Sequence, residues 1–187
     1  MTAPLSPALL RNHLPGLRPA LPGLLLAVIT LLFGYGLGIV FGLNEEIIKS
    51  RLSASAAEVQ ATAYGGDAAA VEAVLEKSWV YMQRAHLHAA GLGTAALAMT
   101  LLIVLLGSAP RVTRVVSLAL GAGALGYSVY WLWAGFRAPG LGGTGAAKES
   151  LKWLAMPSSG LVVLGTAAVT VLCLLALARS SETADRP

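Results

Sequence analysis

The chain has 187 residues, 56% of them hydrophobic and 12% charged, and its mean hydropathy is +0.72. A soluble domain carries about 25% charged residues, so a soluble enzyme is excluded, as are a disordered chain and a scaffold stapled by disulfides, since there is one cysteine. The net charge of +4 comes from 13 scattered Lys and Arg, with no basic run of the kind that holds nucleic acid.

The charges are segregated along the chain. No Asp, Glu, Lys or Arg occurs in residues 19–44, 85–110, 115–136 or 153–178, which are blocks of 26, 26, 22 and 26 residues. About 20 apolar residues cross the hydrocarbon of a bilayer. The predicted class is therefore an all-α integral membrane protein with four transmembrane helices, at 23–43, 86–107, 113–135 and 159–178, in one domain over 23–178. The lipid bilayer is its first expected partner.

Residues 1–22 hold five of the nine prolines and read as an irregular tail. Arg11 and Arg18 precede the first apolar block, and Ala54-Ser55-Ala56 loosely fits a cleavage site. The block is too long for a signal peptide and the site too distant, so the first helix is expected to stay uncleaved. In that helix Gly34, Gly38 and Gly42 recur every four residues and line one face. Such a face lets a second helix approach closely, inside the bundle or in a homo-oligomer.

Residues 44–85 are not loop-like. Ile47, Ile48, Leu52, Val59 and Ala63 form an apolar stripe near the helical period. Tyr64-Gly65-Gly66 is the clear breaker, and Asp67 is a good N-cap for a second helix. Val71, Val74, Leu75, Ser78, Trp79 and Met82 then share a face, without Gly or Pro up to Ala90. Helices one and two are thus expected to extend beyond the bilayer as an antiparallel hairpin with its tip at Gly65-Gly66.

Counting equal distances from that tip sets Glu45 level with His86. Asn44, Glu45, Glu46 and Lys49 would then face Tyr81, Arg84, His86 and His88, and Glu45 or Glu46 would pair with Arg84 or His86. Arg137, Lys148, Glu149 and Lys152 of the third connection would join them at the same membrane surface. His86, His88, Glu45 and Glu46 are the candidate metal or polar-ligand residues. The two histidines are two apart, roughly 200° around a helix, so one of them at most could share an ion with a carboxylate. A bis-histidine haem within the chain lacks its second histidine, because the remaining one, His13, lies in the tail. A haem or metal shared with a partner subunit stays open, and no cofactor is assigned.

In block three, Gly121, Gly123 and Gly126 give a small face early, and Tyr127, Tyr130, Trp131 and Trp133 give interface anchors late. In the connection 137–158, Gly140 to Gly145 spells G-x-G-x-x-G. No strand precedes it and Lys148 is set back from Gly145, so no nucleotide is expected. A short amphipathic turn at 146–156 is expected to lie on the membrane surface with Trp153 dipping in, and Pro157 to precede the fourth helix. Cys173 reads as a small apolar filler within that helix, and 179–187 as a tail.

Arg84-Ala85-His86 ahead of an apolar helix resembles the signature of the membrane-associated eicosanoid and glutathione metabolism family, whose members are small four-helix membrane enzymes. The Asn and Glu that come next in that family are here His88 and Gly91 or Leu92, so no residue role carries over.

Six basic residues flank one side of the blocks and seven the other, so the raw count does not orient the chain. The short connection holding Arg111 and Arg114 tips the reading toward both termini in the cytoplasm, with a bacterial cytoplasmic membrane as the expected location. The functional expectation is a subunit or accessory component of a larger membrane complex, with other membrane subunits or further copies as partners and a non-enzymatic role favoured. The alternatives are a metal-, haem- or polar-ligand-binding protein using the His86/Glu45 region, and a small membrane enzyme acting on lipophilic substrates.

Overall fold

The computed structural model describes residues 16–184, and the regular structure of the described residues is all helical, with no strand. Most of the proline-rich tail, including His13, lies outside them. From Gly16 on, the tail is helical rather than irregular: a 3-10 turn, Arg18–Ala20, leads directly into helix α1, Leu21–Ala57. Pro19 and Pro22 sit in the first positions of these elements, where a missing N–H costs no hydrogen bond. Helix α1 bends at Asn44, whose φ/ψ of −129°/23° leaves the helical region, so the helix continues with a kink instead of being capped anew.

A single helical turn α2, Gln60–Ala63, and Gly65 and Gly66 at φ 61° and 81° reverse the chain. Only glycine holds such angles without strain. Asp67 then caps α3, Ala68–Leu105, accepting hydrogen bonds from the amides of Ala69 and Ala70 at 2.9 and 3.2 Å. Helix α4, Pro110–Arg137, comes next, then a 3-10 turn at Pro139–Leu141, α5, Thr144–Ser150, and α6, Lys152–Ala184. Pro157, expected ahead of the last helix, lies inside it. In place of one amphipathic turn over 146–156, α5 ends at Ser150 and α6 begins two residues later.

Four helices are long and apolar enough to cross a membrane: Arg18–Ala57, Ala68–Leu105, Pro110–Arg137 and Lys152–Arg179. Helix α4 is the hub, packing against α3, α1 and α6, whereas α6 leans almost wholly on α4. Glycine makes this possible. A Cβ on Gly121 would stand 2.7 Å from the Gly23 carbonyl of α1, one on Gly123 2.8 Å from the Ser158 carbonyl of α6, and one on Gly135 2.8 Å from the Ser78 carbonyl of α3. The early glycines of α4 are thus split between two neighbours instead of forming one face.

Hydropathy runs opposite to burial. The most apolar stretch, in α6, has mean hydropathy 2.6 and 11% of its residues buried, whereas α4 has the lowest, 1.5, with 44% buried. Three clusters line the helix contacts. Ala27, Ala96, Ile103, Leu120 and Val169 form one near the Arg18 end. Phe41, Ile48, Leu52 and Met82 join α1 to α3, and Tyr81, Tyr130, Ala134 and Leu151 join α3, α4 and the start of α6.

Candidate functional site

The contacts between α1 and α3 set where every candidate residue falls. Gly93 meets Leu31, Gly34 meets Ala89, Gly38 meets His86, and Phe41 meets Trp79 at 5.3 Å between ring centroids. His86 is therefore level with Gly34 and Gly38, not with Glu45. The slip has a local cause. The reversal is the whole stretch between Ala57 and Ala68, and its centre lies about three residues before Gly65-Gly66. A shift of the centre moves opposite partners by twice that amount.

The sequence-predicted set is thus divided. His86 turns its Nδ1 to the Gly34 carbonyl at 2.8 Å, and since a carbonyl can only accept, Nδ1 carries the proton. The ring lies over Gly38, where a Cβ would stand 2.9 Å from its Cε1. Two of the three stripe glycines therefore form a seat for α3. The third, Gly42, has nothing within 4 Å of a Cβ position and is exposed, so it makes no helix contact. Glu45 pairs with Lys49 one turn along α1, and this hydrogen-bonded carboxylate raises the Lys49 ammonium above its ordinary pKa. Glu46 is exposed. The expected pairing of Glu45 or Glu46 with Arg84 or His86 does not form, and among the described residues no three His, Cys, Asp or Glu side chains come together as metal ligands.

What does assemble is an aromatic and cationic cluster at the α3–α4 seam. Arg84 stacks its guanidinium on Trp131 at 5.1 Å and on Tyr81 at 5.5 Å. His88, one turn further, faces Tyr127 at 5.1 Å and Trp131 at 6.0 Å. Tyr81 meets Trp131 edge-on at 4.8 Å. Among the described residues the buried Trp131 indole N–H has no hydrogen-bond partner. Cation–π contact of this kind contributes about 0.5–1 kcal/mol at exposed sites. The aromatic residues of block three, read as anchors alone, thus carry the surroundings of Arg84 and His88. The sequence signal was their helical spacing: Tyr127, Tyr130 and Trp131 fall on the side of α4 that meets α3.

The third connection supports the reversal instead of the cluster. Tyr64 donates from its hydroxyl to the Pro139 carbonyl at 2.8 Å, and burial pushes its pKa up. Gly140 abuts Ser55, and Gly142, at φ 72°, abuts Ala63. Lys152 and Glu149 pair at 2.9 Å, Lys148 is exposed, and Arg137 ends α4. The glycines of the G-x-G-x-x-G stretch therefore serve a turn against the residues that link α1 to α3.

Fold and cluster together define an all-helical protein with four helices long and apolar enough to cross a membrane, and an arginine–histidine–aromatic seam between two of them. No family, curated protein or solved structure matches the chain.

Proposed function

We propose that the chain is an integral membrane protein that works as a subunit or accessory component of a larger membrane assembly. Insertion is supported by the inverse relation of hydropathy and burial, because in lipid the outward surface must be the apolar one. It is also supported by exposed Thr94, Thr166 and Thr170, whose hydroxyls all return to carbonyls of their own helix, as hydrocarbon requires. Orientation is argued from charge. Pro19, Pro110, Arg111 and Arg114 line one cavity at one end, next to Arg18, and Arg179 lies at the same end beside Leu106 and Val112. The short connection between α3 and α4 holds Arg111 and Arg114, and dense basic charge in a short connection stays inside, so this end is assigned to the cytoplasm, in what we take to be a bacterial inner membrane. The α1–α3 hairpin then extends on the outer side.

The partner reading rests on one observation. Leu32, Tyr35, Ile39, Leu43 and Ile47 form a continuous exposed stripe on α1, with Leu43 78% and Ile47 60% exposed. Phe41 and Lys49 both reach Trp79, so Ile47 stands at the level of Trp79, more than a helical turn beyond Arg84. Lipid covers an apolar stripe only as far as the charged boundary. An isoleucine beyond it gains about 1.5–3 kcal/mol from protein burial. A photo-crosslinking residue at Ile47 in native membranes should give one protein adduct of defined mass, and one at Glu72 none. Lipid adducts alone at Leu43 and none at Ile47 would remove this reading.

A second reading, a polar ligand held at the seam, is favoured by Arg84 and His88 standing on the same indole. A metal shared between His86 and Glu45 is not carried forward, since each is engaged elsewhere.

A further inference from the structure

Helices α3 and α6 barely touch, and between them, floored by α4, lies a cavity of about 220 Å³ lined by His88, Leu92, Tyr127, Ser159, Val162 and Val163. Its lining changes character along its length. His88, Tyr127 and Ser159 occupy the end toward Arg84, and Leu92, Val162 and Val163 the end toward the middle of the helices. Neither the His88 imidazole nor the Tyr127 phenol makes a hydrogen bond among the described residues, so both keep donors or acceptors for a guest. Arg84, one turn along α3, makes no ion pair among the described residues.

We propose that this groove seats one anionic phospholipid: an acyl chain along Leu92, Val162 and Val163, the ester region against His88 and Tyr127, and the phosphate at Arg84. The inference rests on the polar-ligand reading of the seam and names its ligand. Three features select this occupant. The groove opens sideways between two helices, toward where lipid would lie, and not toward an end of the fold. Its polar groups sit at one end only, matching a headed chain. The cation beside that end has no protein carboxylate, and a guanidinium is the side chain best shaped to receive phosphate oxygens. Trp131 holds Arg84 in place by its ring face, which leaves the guanidinium N–H groups free to donate.

The test is native mass spectrometry of the full detergent-purified chain with phosphatidylglycerol, phosphatidylcholine and diacylglycerol added in turn. One phosphatidylglycerol should be retained per chain in preference to the other two. Arg84→Gln should weaken it about tenfold, the scale of one charge-assisted hydrogen bond. Val163→Trp, which fills the mouth from an exposed position, should abolish it, and Leu87→Trp on the outer face of α3 should not. Diacylglycerol held as tightly as phosphatidylglycerol, with Val163→Trp blocking both, would overturn the phosphate assignment and leave the polar-ligand reading standing. Equal retention of all three lipids in every variant would mean annular lipid only and would overturn both.

Discussion

His86 and Gly34 are joined across the α1–α3 seam by a hydrogen bond of 2.8 Å from the imidazole to a helix carbonyl. The contact exists because Gly38, one turn on, has no side chain where the ring must lie. A pattern that reads in sequence as generic close packing is thus a seat for one particular side chain.

The three stripe glycines should therefore differ in their tolerance of bulk. Gly34→Leu forces a side chain into Ala89 and the Ala90 backbone, and should cost about 1–3 kcal/mol of stability, the usual scale of overpacking. Gly42→Leu meets open space and should be near neutral. Thermal unfolding of the two variants in one detergent decides this, and a near-neutral Gly34→Leu would place Gly34 on the lipid side.

Register is tested by crosslinking. In a Cys173→Ser background, cysteines at Gly34 and Ala89 should bridge on oxidation, because a Cβ at 34 would stand 3.0 Å from that of Ala89, and a small shift gives disulfide spacing. A pair at Glu45 and His86 should stay reduced. Bridging of the second pair would restore the register counted from Gly65-Gly66.

The clasp between Tyr64 and Pro139 should be pH-dependent. Burial raises the folded pKa of the phenol above its unfolded value of about 10, so the stabilisation is fully present below pH 10 and is lost as pH rises through the folded pKa. Tyr64→Phe should cost about 1 kcal/mol at neutral pH. The difference in melting temperature between the two proteins should shrink above about pH 10. No difference at neutral pH would show that the hydroxyl does not support the reversal, and a constant difference up to about pH 11 would show that its ionisation is not linked to folding.

Much of this architecture was legible from composition. Four charge-free blocks correspond to four long apolar helices, and Asp67 and Gly65-Gly66 marked a cap and a reversal that the structure contains. Register was not legible. Val59, at φ −118° and ψ 10°, ends a helix without Gly or Pro, so nothing in the sequence announced that the reversal starts at Glu58. The direction of Ile47 was likewise lost, since Ile47 and Ile48 both fit the stripe and the kink at Asn44 buries only Ile48. Of the site, Arg84 and His88 were singled out from sequence. Their aromatic neighbours on α4 were not, because which faces of two helices meet depends on contacts between residues far apart in the chain.

The central claim is that four helices cross a bilayer with the arginine end inside. It is tested most directly by labelling single cysteines in intact cells with a membrane-impermeant maleimide, in a Cys173→Ser background. Cysteine at exposed Thr62, in α2 at the tip, should label from outside, and cysteine at Ser108, between α3 and α4, only after the cells are opened. Labelling of Ser108 but not Thr62 in intact cells would reverse the orientation, and labelling of both from the same side would contradict a membrane-crossing α3.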